Sequence, residues 1–194
     1  MEIGATKAVQ DRLKTTKIAE SKGASLVFCW DTHLTKIKGR NVLFIVNASN
    51  RYTIAMTDIE PRNWNYYAMY ISRVIHGVMQ EMGYSEEQIA QYFKMSGDTT
   101  VTKTYGRKSV GGINRMVMDA QYFGKKLEKE AKYQWELSEY LNRDICQPEG
   151  FGAYGYPSEL FKLDMERLGI PAKRKPAKVI DFAQYIENNR GTND

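Results

Sequence analysis

Residues 105–112, with the sequence YGRKSVGG, bring together the chemical groups that binding a phosphate requires. Arg107 and Lys108 supply positive charge, Ser109 supplies a hydroxyl, and the segment lies between a predicted strand and the start of a predicted helix. The unpaired N–H groups and the dipole at a helix start both favour an anion. The residue order is not that of a P-loop, so nucleotide hydrolysis is not implied. The alternative is a surface turn in which both cations face water and Ser109 caps the helix.

A second group of cations accompanies the predicted sheet: Lys36, Lys38, Arg40 and Arg51. Cations that share a surface can neutralise the phosphates of a nucleic acid. Four aromatic residues follow the sheet and offer stacking surfaces for unpaired bases: Trp64, Tyr66, Tyr67 and Tyr70. Each group also has a structural explanation, because edge lysines prevent pairing with another chain and aromatics at helical spacing pack in a core.

Asp31 and His33 are the candidate catalytic residues. They lie two positions apart, so an extended segment places them on one side. With a neighbouring cation they could act as base and phosphate clamp in metal-independent RNA cleavage. The sequence locates no second proton-transfer group, and a structural histidine is the alternative.

The sequence predicts no metal site and no cofactor. It contains two cysteines, Cys29 and Cys146, and two histidines, His33 and His76, without a recognisable ligand spacing. We therefore expect both cysteines to be reduced thiols.

Composition and length indicate a globular chain of one domain with an appendage, or at most two small domains. The 194 residues are 42% hydrophobic and 26% charged. The net charge of +5 arises in the first part, since residues 1–110 hold 15 Lys and Arg against 10 Asp and Glu, whereas residues 111–194 hold 13 of each. No apolar run reaches the length of about 18 residues that a membrane helix needs, and no signal peptide is visible, so we expect a cytoplasmic protein that does not associate with a membrane.

The elements that position these residues predict an α+β fold. Residues 34–38, 41–47 and 52–57 are separated by short polar turns, which predicts a three-stranded antiparallel meander. The middle strand is apolar on both faces, as in an interior strand, while the lysines of the first strand suit an edge. A long core helix should follow Pro61 and run to about Met82.

The rest of the chain is predicted to be mainly helical. Residues 98–105 have strand composition, and a helical pattern runs from Ile113 with few breaks to about Cys146. Residues 147–157 resemble a linker, and a helical C-terminal extension follows. These patterns divide the chain into an α+β core at 1–120, a long charged helix at 121–146, and a linker with helical extension at 147–194.

The string RNVLFIVNASNRYTIAM, followed by a helix pair and then TKTYGRKSVGGIN, resembles an uncharacterised bacterial family of unknown function. The resemblance covers roughly residues 1–120. It implies a small α+β domain carried by plasmids and phages and no settled activity. The size and basicity of the chain are also similar to those of some anti-CRISPR proteins directed at type II systems.

We therefore predict a basic protein from a mobile element that binds nucleic acid, RNA more than DNA, or a ribonucleoprotein nuclease that it inhibits. The first alternative is a metal-independent ribonuclease or RNA-processing factor. The second is a protein-interaction module, which could form a homodimer through the long charged helix.

Overall fold

The computed structural model describes residues 1–14, 18–22 and 25–172, with the backbone alone at residues 107 and 108. The elements in chain order are β1 (Glu2–Ala5), α1 (Lys7–Leu13), β2 (Cys29–Ile37), β3 (Arg40–Asn47), β4 (Thr53–Thr57), α2 (Pro61–Asn65), α3 (Tyr67–Glu81), α4 (Glu86–Ser96), β5 (Thr100–Lys103), α5 (Arg107–Gln121), α6 (Trp135–Asn142) and α7 (Pro157–Arg167). The predicted α+β fold class is confirmed. Among the described residues, no helix is both long and apolar enough to cross a membrane.

The five strands form one sheet in the order β4-β3-β2-β1-β5. Strands β2, β3 and β4 pair antiparallel, which confirms the predicted meander, and β1 pairs parallel with both β2 and β5. The edge position predicted for residues 34–38 fits the end of β2, where residues 34–37 pair with β3 and not with β1, but β2 is longer than predicted. That strand begins at Cys29 rather than at Leu34, and its residues 29–32 pair with β1.

Both faces of the sheet are covered because side chains of alternate residues point to opposite sides. Leu43 and Ile45 of β3 face a core that also contains residues of α1, α3, α4 and α7. Phe44 and Val46 face a second core that contains residues of α5 and α6. The central strand is therefore apolar on both faces, as predicted for an interior strand.

The predicted long core helix exists, but it begins later than expected. Ile71, Ile75 and Val78 of α3 are buried against the sheet. Tyr66 has φ −119° and ψ 41°, outside the helical region, and it separates α3 from the short α2. Pro61 therefore begins the short helix α2 rather than the core helix α3.

The outer edge of β4 is closed by side chains of α6 and by the residue before it. Ala55 N–H donates to Ser138 Oγ at 3.0 Å, and Gln134 N–H donates to Ala55 O at 2.9 Å. The Asn142 amide accepts from Thr53 N–H and donates to Thr53 O, both at 2.8 Å. The backbone groups of Thr53 and Ala55 on the β4 edge are thus hydrogen-bonded within the chain, which protects this edge from pairing with another strand.

The single charged helix predicted for residues 121–146 is wrong, because a non-helical segment, 122–134, separates α5 from α6. Side chains from the β2–β3 turn bind its carbonyl groups. Lys38 Nζ donates to Lys125 O at 2.8 Å, and Arg40 Nη1 donates to Glu128 O at 2.7 Å. In a helix, these carbonyl groups would accept hydrogen bonds from backbone N–H groups of the same helix. Here they accept hydrogen bonds from Lys38 and Arg40 instead.

The C-terminal part that the structure describes packs on the first core. Phe161 and Met165 of α7 are buried there, and Asn50 donates to the buried Asp164 carboxylate at 2.8 Å. Residues 147–157 were predicted to be a linker, but they form a turn that begins with an antiparallel bridge between Cys146 and Gly155. The part of the predicted helical extension beyond residue 172 lies outside the described residues.

Candidate functional site at the carboxyl ends of the parallel strands

The parallel strands β1 and β5 end side by side, and the chain leaves them toward opposite faces of the sheet. After β1 it enters α1, which contributes Val9 to the first core. After β5 it enters α5, which contributes Ile113 to the second core. In open sheets with parallel strands, such a divergence forms a crevice that commonly binds ligands. We call this place the strand-end crevice and define it by Thr6, His33, Tyr105, Gly106 and Ser109.

Asp31 lies beneath this crevice and fixes the start of α5. Its Oδ1 accepts from Tyr105 N–H at 3.2 Å, and its Oδ2 accepts from the Ser109 hydroxyl. The side chain is 1% exposed, and burial raises the pKa of its carboxyl group. A carboxylate close to a helix start is favourable because the helix dipole is positive there.

The carboxylate reaches α5 by passing over Gly4 in β1. A methyl group added at Gly4 would overlap the Asp31 carboxylate and lie 3.0 Å from Thr104 Cα. Glycine in a strand often marks such a close approach. The contact between Asp31 and Ser109 therefore depends on the missing side chain of Gly4.

His33 and Thr6 form the neighbouring wall. His33 Nδ1 lies 3.2 Å from Thr6 Oγ1, within hydrogen-bonding distance. The imidazole is half-buried, and desolvation lowers its pKa, which favours the neutral ring. Thr6 is the N-cap residue of α1, but its hydroxyl makes no capping hydrogen bond to the helix.

The structure places the predicted phosphate-binding residues as follows. Gly106 is the N-cap residue of α5, and Arg107 and Lys108 lie in its first turn. The side chains of Arg107 and Lys108 are outside what the structure describes. Ser109 does not cap the helix, contrary to the alternative interpretation, because its hydroxyl donates to Asp31.

The cations around the sheet do not share one exposed surface. Lys36 and Lys38 are exposed and Arg40 is half-buried, and Lys38 and Arg40 donate hydrogen bonds to the backbone of residues 122–134. Arg40 also pairs with Asp58. Arg51 lies at the opposite end of β3, half-buried against α5. A continuous basic face formed by these four residues, as predicted, is therefore not present.

The aromatic residues divide between core and surface. Trp64 and Tyr67 stack with a 5.4 Å centroid separation and a 4° interplanar angle, and Tyr67 is buried in the first core. Tyr66 is 65% exposed. Core packing is thus confirmed for Tyr67, while Tyr66 remains available at the surface.

Gly4 and Thr6 belong to the site but were not among its predicted residues. The signal that could have indicated the close approach is the glycine between the apolar residues Ile3 and Ala5. No local pattern connects Thr6 with His33, which is 27 residues away in sequence. Within the described part of the chain, no three His, Cys, Asp or Glu side chains gather closely enough to hold a metal ion.

Comparison with protein families matches residues 2–160 to the family described as "Domain of unknown function (DUF6933)". The match covers most of the chain, so the chain belongs to that family. The matched region extends beyond residue 120 and includes the start of α7. No curated protein and no solved structure matches the chain.

Proposed function

We propose that this member of the DUF6933 family binds single-stranded nucleic acid and holds a backbone phosphate at the strand-end crevice. The observation that carries the proposal is the start of α5, a helix of 15 residues, beside the carboxyl end of β1. The sequence Gly106-Arg107-Lys108 at this helix start combines backbone N–H groups with two cations. This combination favours phosphate over neutral ligands.

The side chains beside the helix start, Thr6 and His33, favour RNA over DNA as the ligand. A ribose 2′-hydroxyl can both donate and accept a hydrogen bond. The Thr6 hydroxyl and the neutral His33 ring offer complementary groups next to the helix start. We therefore place the sugar against Thr6 and His33 and the phosphate against α5.

The buried Asp31 would oppose a phosphate if its carboxyl group were fully ionised. Burial raises its pKa, so the neutral form is easier to reach than in water. A phosphate nearby would favour that form further. Binding should therefore be accompanied by proton uptake and should strengthen as the pH falls.

The test compares a double variant at the helix start with a double variant of equal charge elsewhere. Single-stranded RNA binding is measured against salt for R107A/K108A and for K126A/K129A, whose lysines are exposed in the segment 122–134. Loss of two phosphate contacts should make the log–log salt slope shallower by about 1.4, at about 0.7 per contact. The control variant should retain the wild-type slope.

Two outcomes would contradict the proposal. An unchanged slope for R107A/K108A would show that the helix start does not contact phosphate. Equal weakening of both variants would indicate attraction by total charge rather than a site.

A second candidate function is metal-independent RNA cleavage, favoured by the lowered pKa of His33. A neutral imidazole beside a bound ribose could accept the proton of its 2′-hydroxyl. Asp31 is too buried to touch a substrate, so it would position Ser109 and the helix start. Labelled RNA incubated in chelator tests this function: products that disappear in H33Q support it, and equal cleavage by H33Q excludes it.

A narrower proposal is that the bound nucleic acid belongs to a type II RNA-guided nuclease, which the protein would inhibit. The support for it is the size of the chain and its charge of +5. Cleavage of a DNA target by the purified nuclease should then fall in the presence of the protein and recover with R107A/K108A. Full cleavage at saturating wild-type protein would exclude that target.

A further inference from the structure

Arg51 occupies an unusual position at the turn between β3 and β4. Its φ is 66°, in the left-handed region that residues other than glycine rarely adopt. The turn is held by Arg51 N–H donating to Asn47 O at 3.0 Å and by Tyr52 N–H donating to Asn50 Oδ1 at 2.9 Å. Such a conformation persists when surrounding contacts determine it, and it often accompanies a functional site.

The Arg51 guanidinium lies against Gly112 in α5. A methyl group added at Gly112 would overlap the guanidinium, so the helix leaves room for this group. Nη1 is buried and meets no acceptor within the described residues. Desolvation lowers the pKa of the side chain, as expected for a cation removed from water without a matching anion. A cation that is partly removed from water without a partner is costly.

A cavity of about 50 Å³ opens beside this group, and both Arg51 and Gly112 line it. One water molecule needs only about 10–15 Å³ by a comparable measure. The apolar part of its wall includes Val46, Met116 and Leu141. The cavity is therefore suited to a small molecule with an apolar part beside the guanidinium.

The remaining charges of the wall indicate the charge of the ligand. Arg115 and Asp119 pair with each other at 3.3 Å, so they largely cancel. Asp144 is also part of the wall and is exposed to solvent. With that pair cancelled, the Arg51 guanidinium and the exposed Asp144 carboxylate remain, an arrangement that leaves room for a monoanion beside the guanidinium and disfavours a phosphate dianion.

We propose that the Arg51 cavity binds a small organic carboxylate. The carboxylate would accept hydrogen bonds from the guanidinium, which presents donors in a planar fork matched to this group. A short aliphatic part would lie against Val46, Met116 and Leu141. This site is separate from the strand-end crevice, and its existence does not depend on nucleic-acid binding.

Cys146 provides a direct readout because it lines the cavity and is half-buried. Its alkylation by a neutral reagent such as iodoacetamide is followed by mass spectrometry in the full-length protein. Propionate at about ten times its Kd should slow this reaction about tenfold, as expected from occupancy. Propionamide, which has the same shape but no charge, should leave the rate unchanged at the same ionic strength.

Cys29 is the internal control in the same experiment. It is buried, and burial raises the pKa of its thiol to about 12, so it should remain unlabelled while the fold is intact. Labelling of Cys146 alone therefore reports access to the cavity rather than unfolding.

Arg51→Lys tests the role of the guanidinium, since it keeps the charge but removes the planar fork. It should lose most of the protection by propionate. The wild-type measurement decides the proposal even where this variant does not fold. Protection that is absent, does not saturate, or is equal for propionate and propionamide would overturn it.

Discussion

Two charged side chains, one buried and one half-buried, lie under helix α5 on the same face of the sheet, and they differ in how many hydrogen bonds they make. The Asp31 carboxylate accepts hydrogen bonds from Tyr105 and Ser109. The Arg51 guanidinium, near Gly112 one helical turn further along, has a buried nitrogen without an acceptor in the described part of the chain. A buried group whose hydrogen bonds are made helps to fix the fold, whereas one without a partner can still accept a group of opposite charge, as proposed for Arg51.

The space around each charge also differs. The Asp31 side chain is short, 1% exposed and confined by the backbone near Thr104. The Arg51 side chain is long and half-buried beside a cavity, so it can move with little rearrangement. The comparison predicts that disturbing Asp31 costs much more stability than disturbing Arg51.

The largest effect should come from Gly4→Ala. The new methyl group would displace the Asp31 carboxylate and break its hydrogen bonds to Tyr105 and Ser109. We expect a loss of about 3 kcal/mol in the free energy of unfolding, measured by urea denaturation. Alanine is favoured over glycine in strands by only about 0.5–1 kcal/mol, which cannot offset this loss.

Gly4→Ala should also lower the affinity for RNA if the start of α5 holds a phosphate as proposed, because Asp31 fixes the position of that helix start. A variant that is as stable as wild type would show that Asp31 can move, and the contrast with Arg51 would then fail.

A smaller difference in stability is expected between alanine variants of two adjacent glycines in α5. Nothing lies within 4 Å of a methyl group added at Gly111, so Gly111→Ala should stabilise the helix by about 1 kcal/mol. Gly112→Ala gains the same helix propensity but must displace the Arg51 guanidinium. We expect it to be about 1 kcal/mol less stable than Gly111→Ala, hence close to wild type.

The difference between these two variants in thermal or urea unfolding measures the cost of moving Arg51. If Gly112→Ala were as damaging as Gly4→Ala, Arg51 would be a fixed structural group. The carboxylate proposal would then lose its main support.

The sequence predicted those parts of the fold that depend on neighbouring residues. The meander follows from the apolar run in β3 and the polar turns beside it. The parallel pairing of β1 with β2 and β5 joins distant segments and has no local turn signal. Residues 122–134 have a helical pattern, but side chains from the distant residues Lys38 and Arg40 bind their carbonyls.

The candidate site was predicted only in part for the same reason. Ser109 was identified from its own loop, whereas its partner Asp31 is 78 residues away in sequence. Arg51 was predicted to contact nucleic acid because it is a cation in a polar turn. Its burial depends on Gly112, whose role appears only when α5 lies on the sheet.

The last effect is a change in the pH dependence of stability. It reports on Asp31 and not on Arg51, because a guanidinium stays charged throughout this range. The pKa of Asp31 is raised by burial in the folded state. Its contribution to stability is therefore complete below the unfolded pKa of about 3.9 and is lost as pH rises through the folded pKa. Asn cannot ionise, so Asp31→Asn should lack this loss.

Urea denaturation of wild type and Asp31→Asn at a series of pH values checks this prediction. The stability of the variant relative to wild type should rise above pH 3.9, by about 1.4 kcal/mol for each unit by which the folded pKa exceeds the unfolded one.

His33→Gln is the control variant, for which the expected change with pH has the opposite sign. Desolvation lowers the pKa of His33, so wild type loses stability as pH falls below about 6.5, and this variant should not. Parallel curves for wild type and Asp31→Asn would mean that Asp31 is as well solvated folded as unfolded, which would remove the difference between the two buried charges.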